Sequence, residues 1–142
     1  MKTRVKLIEG VAFMGETGSG HGLIMDGAPD AERPELGGKN RGPRPMEMML
    51  LGLGGCTAYD VVTILRKGRH DVTDCEVEIE ATRAETPPKI FTEIHLIYRV
   101  RGEGLSLKAV ERAVALSKEK YCSASIMLGA TAKITHEVTL TP

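Results

Sequence analysis

The segment MEMMLLGLGGCTAYDVVTIL, residues 46–65, limits what this chain can become more than any other. Its only charges are Glu47 and Asp60, and if it is helical, apolar residues point in every direction. Such a helix has to be buried all round. A sheet covers one face, and a chain of 142 residues has little left for the other. A second copy of the subunit is the economical cover, so the expectation is a homodimer with its central helices close together. Gly52, Gly54 and Gly55 each cost about 1 kcal/mol against alanine inside a helix. Close approach of another backbone offsets that cost. Gly52, four residues before Cys56, would also clear space above the sulfur. Pro45 sits where the helix can start, and Gly68 is placed to serve as its C′ residue.

The flanking patterns define the rest of the domain. Val5, Leu7, Val11 and Phe13 predict a strand pair bent near Gly10, with Leu23 to Met25 as a short third strand. Residues 27–45 hold four Gly and four Pro and read as a surface loop. Cys75, Val77, Ile79 and Ala81 alternate with Glu76, Glu78 and Glu80, the signature of a half-buried strand. After the Thr86-Pro87-Pro88 turn, Ile94, Leu96, Tyr98 and Val100 form its hairpin partner. Ser106 can cap a second helix with Leu107, Val110, Ala113, Val114 and Tyr121 on one stripe. A short helical turn over Ser123 to Leu128 and a last strand with Ile134, His136, Val138 and Leu140 facing one way complete an α+β order. One domain, residues 1–142, accommodates all of it.

Charge narrows the partners. Nineteen basic and 19 acidic residues balance, giving no electrostatic reason to expect nucleic acid or an anionic membrane. The uncharged run Met48 to Tyr59 is 12 residues, too short to span a bilayer. No basic stretch followed by an apolar run opens the sequence, so a cytoplasmic protein is expected. Three cysteines in that compartment do not form a disulfide framework.

Cys75 alternates inward on its strand and reads as core filler. Cys122 stands where one helix ends and a short one begins. A helix N-terminus with Lys120 nearby lowers a thiol pKa, although Cys122 alone also fits a structural role. Asp60, four residues after Cys56, should raise that thiol's pKa. A cation for Cys56 must come from another segment, with Arg4, His21, Arg41, Arg44 and Lys120 as candidates. No CxxC or CxxxxHxxxH spacing suggests a metal site, and no cofactor is expected.

Together, PMEMMLLGLGGCTAYDVVTIL and, 66 residues after Cys56, the cysteine of EKYCSASIML resemble the OsmC/Ohr family (osmotically inducible and organic hydroperoxide resistance proteins). GLGGCTAYDVV and GETGSGHGLIMDG look most like its YhfA-like branch. The resemblance covers nearly the whole chain. It implies an OsmC-like α+β fold, an intertwined homodimer with sheets wrapped around two long central helices. It also implies thiol peroxidase chemistry at the dimer interface, with Cys56 peroxidatic and Cys122 resolving. The implied substrate is an organic hydroperoxide, favoured over hydrogen peroxide by an apolar pocket of Met and Leu, and the implied reductant is a dithiol.

Family members carry a Glu ten residues before the first Cys, directly after a proline. Here Met46 follows Pro45, and Glu47 lies nine residues before Cys56. On a straight helix that is about 13 Å of rise and the opposite face. The family's activating arginine belongs to the N-terminal strands, but Gly15 to Gly27 contains no Arg and offers only His21. His136, on an inward face, reads as a core histidine. Three functions compete: a thiol peroxidase, a non-enzymatic binder of small hydrophobic ligands, and a cysteine hydrolase, which needs a His beside Cys56.

Overall fold

The computed structural model describes residues 1–142, which divide into two compact units, Met1–Met49 and Leu50–Pro142. The first carries β1 (Thr3–Glu9), β2 (Ala12–Thr17) and β3 (Gly22–Met25), a three-stranded antiparallel sheet in the order β1-β2-β3. The predicted bend is Gly10, whose φ of +57° is a conformation that residues with a side chain rarely adopt. Register places Leu7 opposite Phe13 and Phe13 opposite Met25, so one face is an apolar row. Val5, Leu7 and Phe13 are exposed within the chain.

The Gly- and Pro-rich segment that follows is organised around one carboxylate. Asp26 is buried and accepts from the backbone N–H groups of Gly27 (2.7 Å), Lys39 (3.1 Å) and Arg41 (3.0 Å). Above it, Glu9 pairs with Arg41 at 2.6 Å and Lys39 at 3.4 Å. The N–H of Arg41, followed by those of Gly27 and Lys39, holds the Asp26 carboxyl below its ordinary range, against the opposing effect of burial.

Helix α1 (Pro45–Lys67) opens in the first unit and continues through the second. Its first turn is closed by Glu47, whose Oε2 accepts from the N–H of Arg44 at 2.8 Å. Leu53, Gly54, Thr57, Val61 and Leu65 form its buried stripe. The left-handed residue ending the helix is Arg69 (φ +64°), not Gly68: Gly68 still donates to Ile64, and the chain reverses one residue later. The 12-residue uncharged run understated this helix. Its full 23 residues, with an 18-residue window of mean hydropathy 1.6, are long and apolar enough to cross a membrane. The buried stripe instead packs within an α+β unit, and Thr57 is hydrogen-bonded there.

In the second unit β4 (Asp71–Arg83) pairs antiparallel with β5 (Phe91–Glu103), which pairs parallel with β6 (Lys133–Leu140). The parallel pairing requires a crossover, supplied by α2 (Leu107–Leu116) and α3 (Ser123–Gly129). Ile94, Leu96, Tyr98 and Val100 of β5 are fully buried, as their alternation predicts. Ser106 caps α2 by accepting from the N–H of Ala109. The α2 stripe holds for Val110, Ala113 and Val114 but fails for Leu107 and Tyr121, which are exposed. The cause at the far end is a π-helical turn over Ser117–Tyr121, whose extra residue shifts the phase and turns Ser117 inward and Tyr121 outward. His136 is not a core histidine: it leans edge-on against the Tyr98 ring while remaining exposed. The chain itself supplies one long helix, of 23 residues, where the expectation was two central helices in a dimer.

The depressed Asp26 carboxyl contributes stability that is complete above the ordinary carboxylate pKa and is lost as pH falls through the folded value. The amides of Gly27, Lys39 and Arg41 should therefore lose hydrogen-exchange protection on acidification and in Asp26→Ala at neutral pH. Amides in β5 should keep theirs in Asp26→Ala. Unchanged protection in the variant would contradict the role assigned to this carboxylate.

Candidate active site: two thiols and a carboxylate

Cys56 faces inward from the middle of α1, half-buried, one turn before Asp60. Cys122 is fully buried and occupies the N-cap of α3, with its sulfur accepting from the N–H of Ser125 at 3.3 Å. The π-helical turn delivers it there: the N–H of Cys122 reaches back to the carbonyl of Ser117 at 2.8 Å, closing a five-residue loop. The result brings both sulfurs and a carboxylate oxygen of Asp60 within 4.8 Å of one another. The two cysteines expected to act together are neighbours in this unit.

A chain of hydroxyl groups holds the carboxylate. Ser117 donates to Asp60 Oδ2 at 3.0 Å. Each hydroxyl has one proton to give, so Ser117 must accept from Thr57 at 3.0 Å, and Thr57 in turn from the Tyr98 hydroxyl at 2.7 Å. The direction is thus Tyr98 to Thr57 to Ser117 to Asp60, with every donor polarising the next. Thr57, Ser117 and Tyr98 are fully buried. Burial above all, with Cys122, Cys75 and Asp60 adding negative character, pushes the Tyr98 hydroxyl up to about 12 despite its bond to Thr57.

The electrostatics oppose a thiolate at Cys122. Burial first, and the neighbouring Cys56 second, raise its pKa, while the side chain and N–H of Ser125 pull the other way. The helix N-terminus therefore does not prevail, and Lys120 lies 5.3 Å from the centre of the Tyr121 ring. Ser125 Oγ is buried and makes no hydrogen bond; a thiolate at Cys122 is an acceptor it could use. Cys75 is half-buried on β4, its thiol raised by burial and then by Asp74, as suits a packing residue.

Glu47 and His21 belong to the first unit, and Cys56 to the second. Glu47 closes the first turn of α1, and His21 in the β2–β3 turn is exposed and bonded through Nδ1 to Ser19 at 3.1 Å. Other candidate cations are engaged locally: Arg4 with Glu16, Arg41 with Glu9, Arg44 with Asn40. Thr57, Ser117 and Tyr98 are the residues of this cluster that sequence reasoning missed. Only Asp60 left a trace, as a rare charge in an apolar helix. The cleft reaching Asp60, about 430 Å³, is lined by Tyr59, Thr63, Ile64, Lys67, Leu116 and Tyr121. It is more polar than the Met and Leu pocket expected. Gly54 packs against Ile79, where an added Cβ would lie 2.9 Å from Cδ1, whereas Gly52 and Gly55 face open space.

This architecture, an α+β fold with one long apolar helix, has counterparts among known proteins. Residues 38–137 match the model of the OsmC-like protein family, and the chain belongs to that family. It is 48% identical over 136 residues to the protein YhfA of Escherichia coli K12, covering 96% of this chain and 95% of that one. A crystal structure of a hypothetical protein from Aquifex aeolicus superposes with a TM-score of 0.80 at 32% identity, covering 99% and 97% of the two chains. A Legionella pneumophila structure described as an organic hydroperoxide resistance protein OsmC and predicted redox protein shares the fold, with a TM-score of 0.67 at 22% identity, covering 98% and 97%.

Thr57→Val keeps the shape of the side chain but leaves the Tyr98 hydroxyl without an acceptor. It should cost about 1–3 kcal/mol in chemical denaturation. Tyr98 ionisation, followed by ultraviolet absorbance, should appear only near pH 12 in the native protein and coincide with loss of structure. Because the folded pKa is raised, stability is complete below the unfolded tyrosine value and falls as pH climbs through the folded one. A Thr57→Val protein as stable as wild type would show that the hydroxyl chain does not stabilise the fold.

Proposed function

We propose that this protein is a dithiol redox protein that reduces organic hydroperoxides, in an oxidative-stress role. The observation that carries the reading is the approach of Cys56 and Cys122 sulfurs within 4.8 Å in a member of the OsmC-like family. The description of the Legionella relative as a hydroperoxide resistance and predicted redox protein supports it. In this reading Cys56, the less buried thiol, attacks the peroxide O–O bond as thiolate. One oxygen becomes the sulfenic acid of Cys56 and the other leaves as the alcohol after protonation. Cys122 then attacks the Cys56 sulfur, expelling water and forming a disulfide, and an external dithiol restores both thiols. His21 and Glu47 are proposed to assist Cys56. The 142 residues are proposed to work as one domain, since the family match runs across the boundary between the two units. The proposed setting is cytoplasmic, where thiols stay reduced.

Assembly belongs to the same proposal. Leu51 and Tyr59 of α1 are 61% and 73% exposed, and Val5, Leu7 and Phe13 leave an apolar sheet face open. Apolar surface of this kind marks an interaction site, and a second copy of the chain, pairing helix with helix, covers it. The open space at Gly52 and Gly55 leaves room for that approach.

A second reading has its own observation. Burial of Cys122 disfavours its thiolate, and an apolar cleft of about 490 Å³ lies among Val5, Val11, Phe13, Met25 and Pro45. A protein of this fold that binds small hydrophobic ligands without turnover fits those facts.

Stoichiometric cumene hydroperoxide should convert the reduced protein to a Cys56–Cys122 disulfide, read by peptide mass spectrometry. Cys122→Ser should trap Cys56 as a sulfenic acid, and Cys75→Ala should retain turnover. Thiols that stay reduced under excess hydroperoxide would leave the ligand-binding reading in its place. Light scattering should give twice the chain mass of 15.4 kDa, and a folded species at 15.4 kDa would end the homodimer reading.

A further inference from the structure

A carboxylate beside two thiols makes this site suited to a cation. Asp60 has no basic partner, since every ion pair of the protein lies elsewhere. Its oxygen and the two sulfurs fall within 4.8 Å of one another. In tetrahedral zinc thiolate sites the donor atoms lie about 3.5 Å apart, so closing this triangle takes side-chain shifts of only about 1 Å. Cys56 and Asp60 share one helix face at i and i+4, a spacing that lets two side chains hold the same ion.

We propose that Cys56, Asp60 and Cys122 of a single chain form a binding site for a thiophilic divalent cation of the zinc and cadmium class. Two sulfurs and one carboxylate select a soft d10 ion over magnesium or calcium, which prefer oxygen alone. On binding, both thiol protons leave to solvent, two metal–sulfur bonds form, and no electron changes hands. The surroundings are those of a metal ligand set. Ser117 fixes one oxygen of Asp60 and is itself fixed through Thr57 and Tyr98, the kind of outer contact that orients ligating carboxylates. The N–H of Ser125 already points at the Cys122 sulfur, and its buried, unpartnered hydroxyl gains an acceptor once that sulfur is anionic. The cleft beside Asp60 gives an ion a way in. The inference goes beyond the peroxidase reading and does not depend on it.

The test uses the full-length reduced protein, freed of metal by a chelator and titrated with Cd²⁺ alone. A thiolate-to-metal absorption band should saturate at one ion per chain. It should be lost in Cys56→Ser and in Cys122→Ser and kept in Cys75→Ser. Ser117→Ala, which removes the donor to Asp60 and the acceptor of Thr57 but no ligand, should weaken binding about 10-fold or more. A measurement on the unaltered protein removes any dependence on variant folding: one equivalent of Cd²⁺ should slow alkylation of Cys56 and leave that of Cys75 unchanged. Protection of Cys75 rather than Cys56, protection of neither, or saturation at half an ion per chain would overturn the site. No peroxide enters these measurements, so their failure is separate from failure of the redox reading.

Discussion

The hydroxyl chain from Tyr98 to Asp60 is the interaction on which the rest of the second unit depends. It joins the middle strand of the sheet, the long helix and the π-helical turn through three hydrogen bonds of 2.7, 3.0 and 3.0 Å. Buried hydroxyls are costly unless paired, so each member obliges the next to keep its place. Thr57 faces inward only because α1 turns that stripe to the sheet, and Ser117 only because the turn after α2 carries an extra residue. The same extra residue leads directly into Cys122. Positioning the carboxylate and positioning the buried thiol are therefore one structural event.

That event sets a chemical tension. The two sulfurs lie within reach of each other, which a redox pair needs, but they share their space with an acidic group that makes no ion pair. Burial of Cys122 adds to the cost of its thiolate. Chemistry at this site has to work beside a carboxylate without an ion-pair partner and a buried thiol. The proposed peroxide reduction at Cys56 and the proposed soft cation held by all three groups would meet that requirement differently, and both would use the less buried thiol as the point of entry.

The three glycines divide along the same line. Gly54 faces the sheet, where Ile79 leaves no room for a side chain to be added without a shift. Gly52 and Gly55 lie on the exposed side of α1, near Leu51 and Tyr59. One glycine lets the helix approach its own sheet, and the other two keep its outer face narrow. In the first unit a different device operates, with a single buried carboxylate gathering three backbone N–H groups of a segment that has no secondary structure.

Much of this was legible in the sequence because the relevant physics is local. Alternation over Cys75 to Ala81 and Ile94 to Val100, the cap at Ser106 and the positive φ at Gly10 depend on residues a few positions apart. The apolar residues of 46–65 announced a central helix, and the wording around Cys56 and Cys122 announced the family. The helix end at Arg69, the exposure of Tyr121 and His136, and the parallel strand β6 were not legible, since each depends on what packs alongside. The site itself divides in the same way. Two thiols could be read as a pair, but their common carboxylate, its hydroxyl support and the absence of a basic partner required the fold. Periodicity records which side of an element is apolar. It does not record which residues of α1, β5 and the π-helical turn will meet, because their contacts span 41 to 60 positions of sequence and are fixed only when the buried hydroxyls must all be satisfied together.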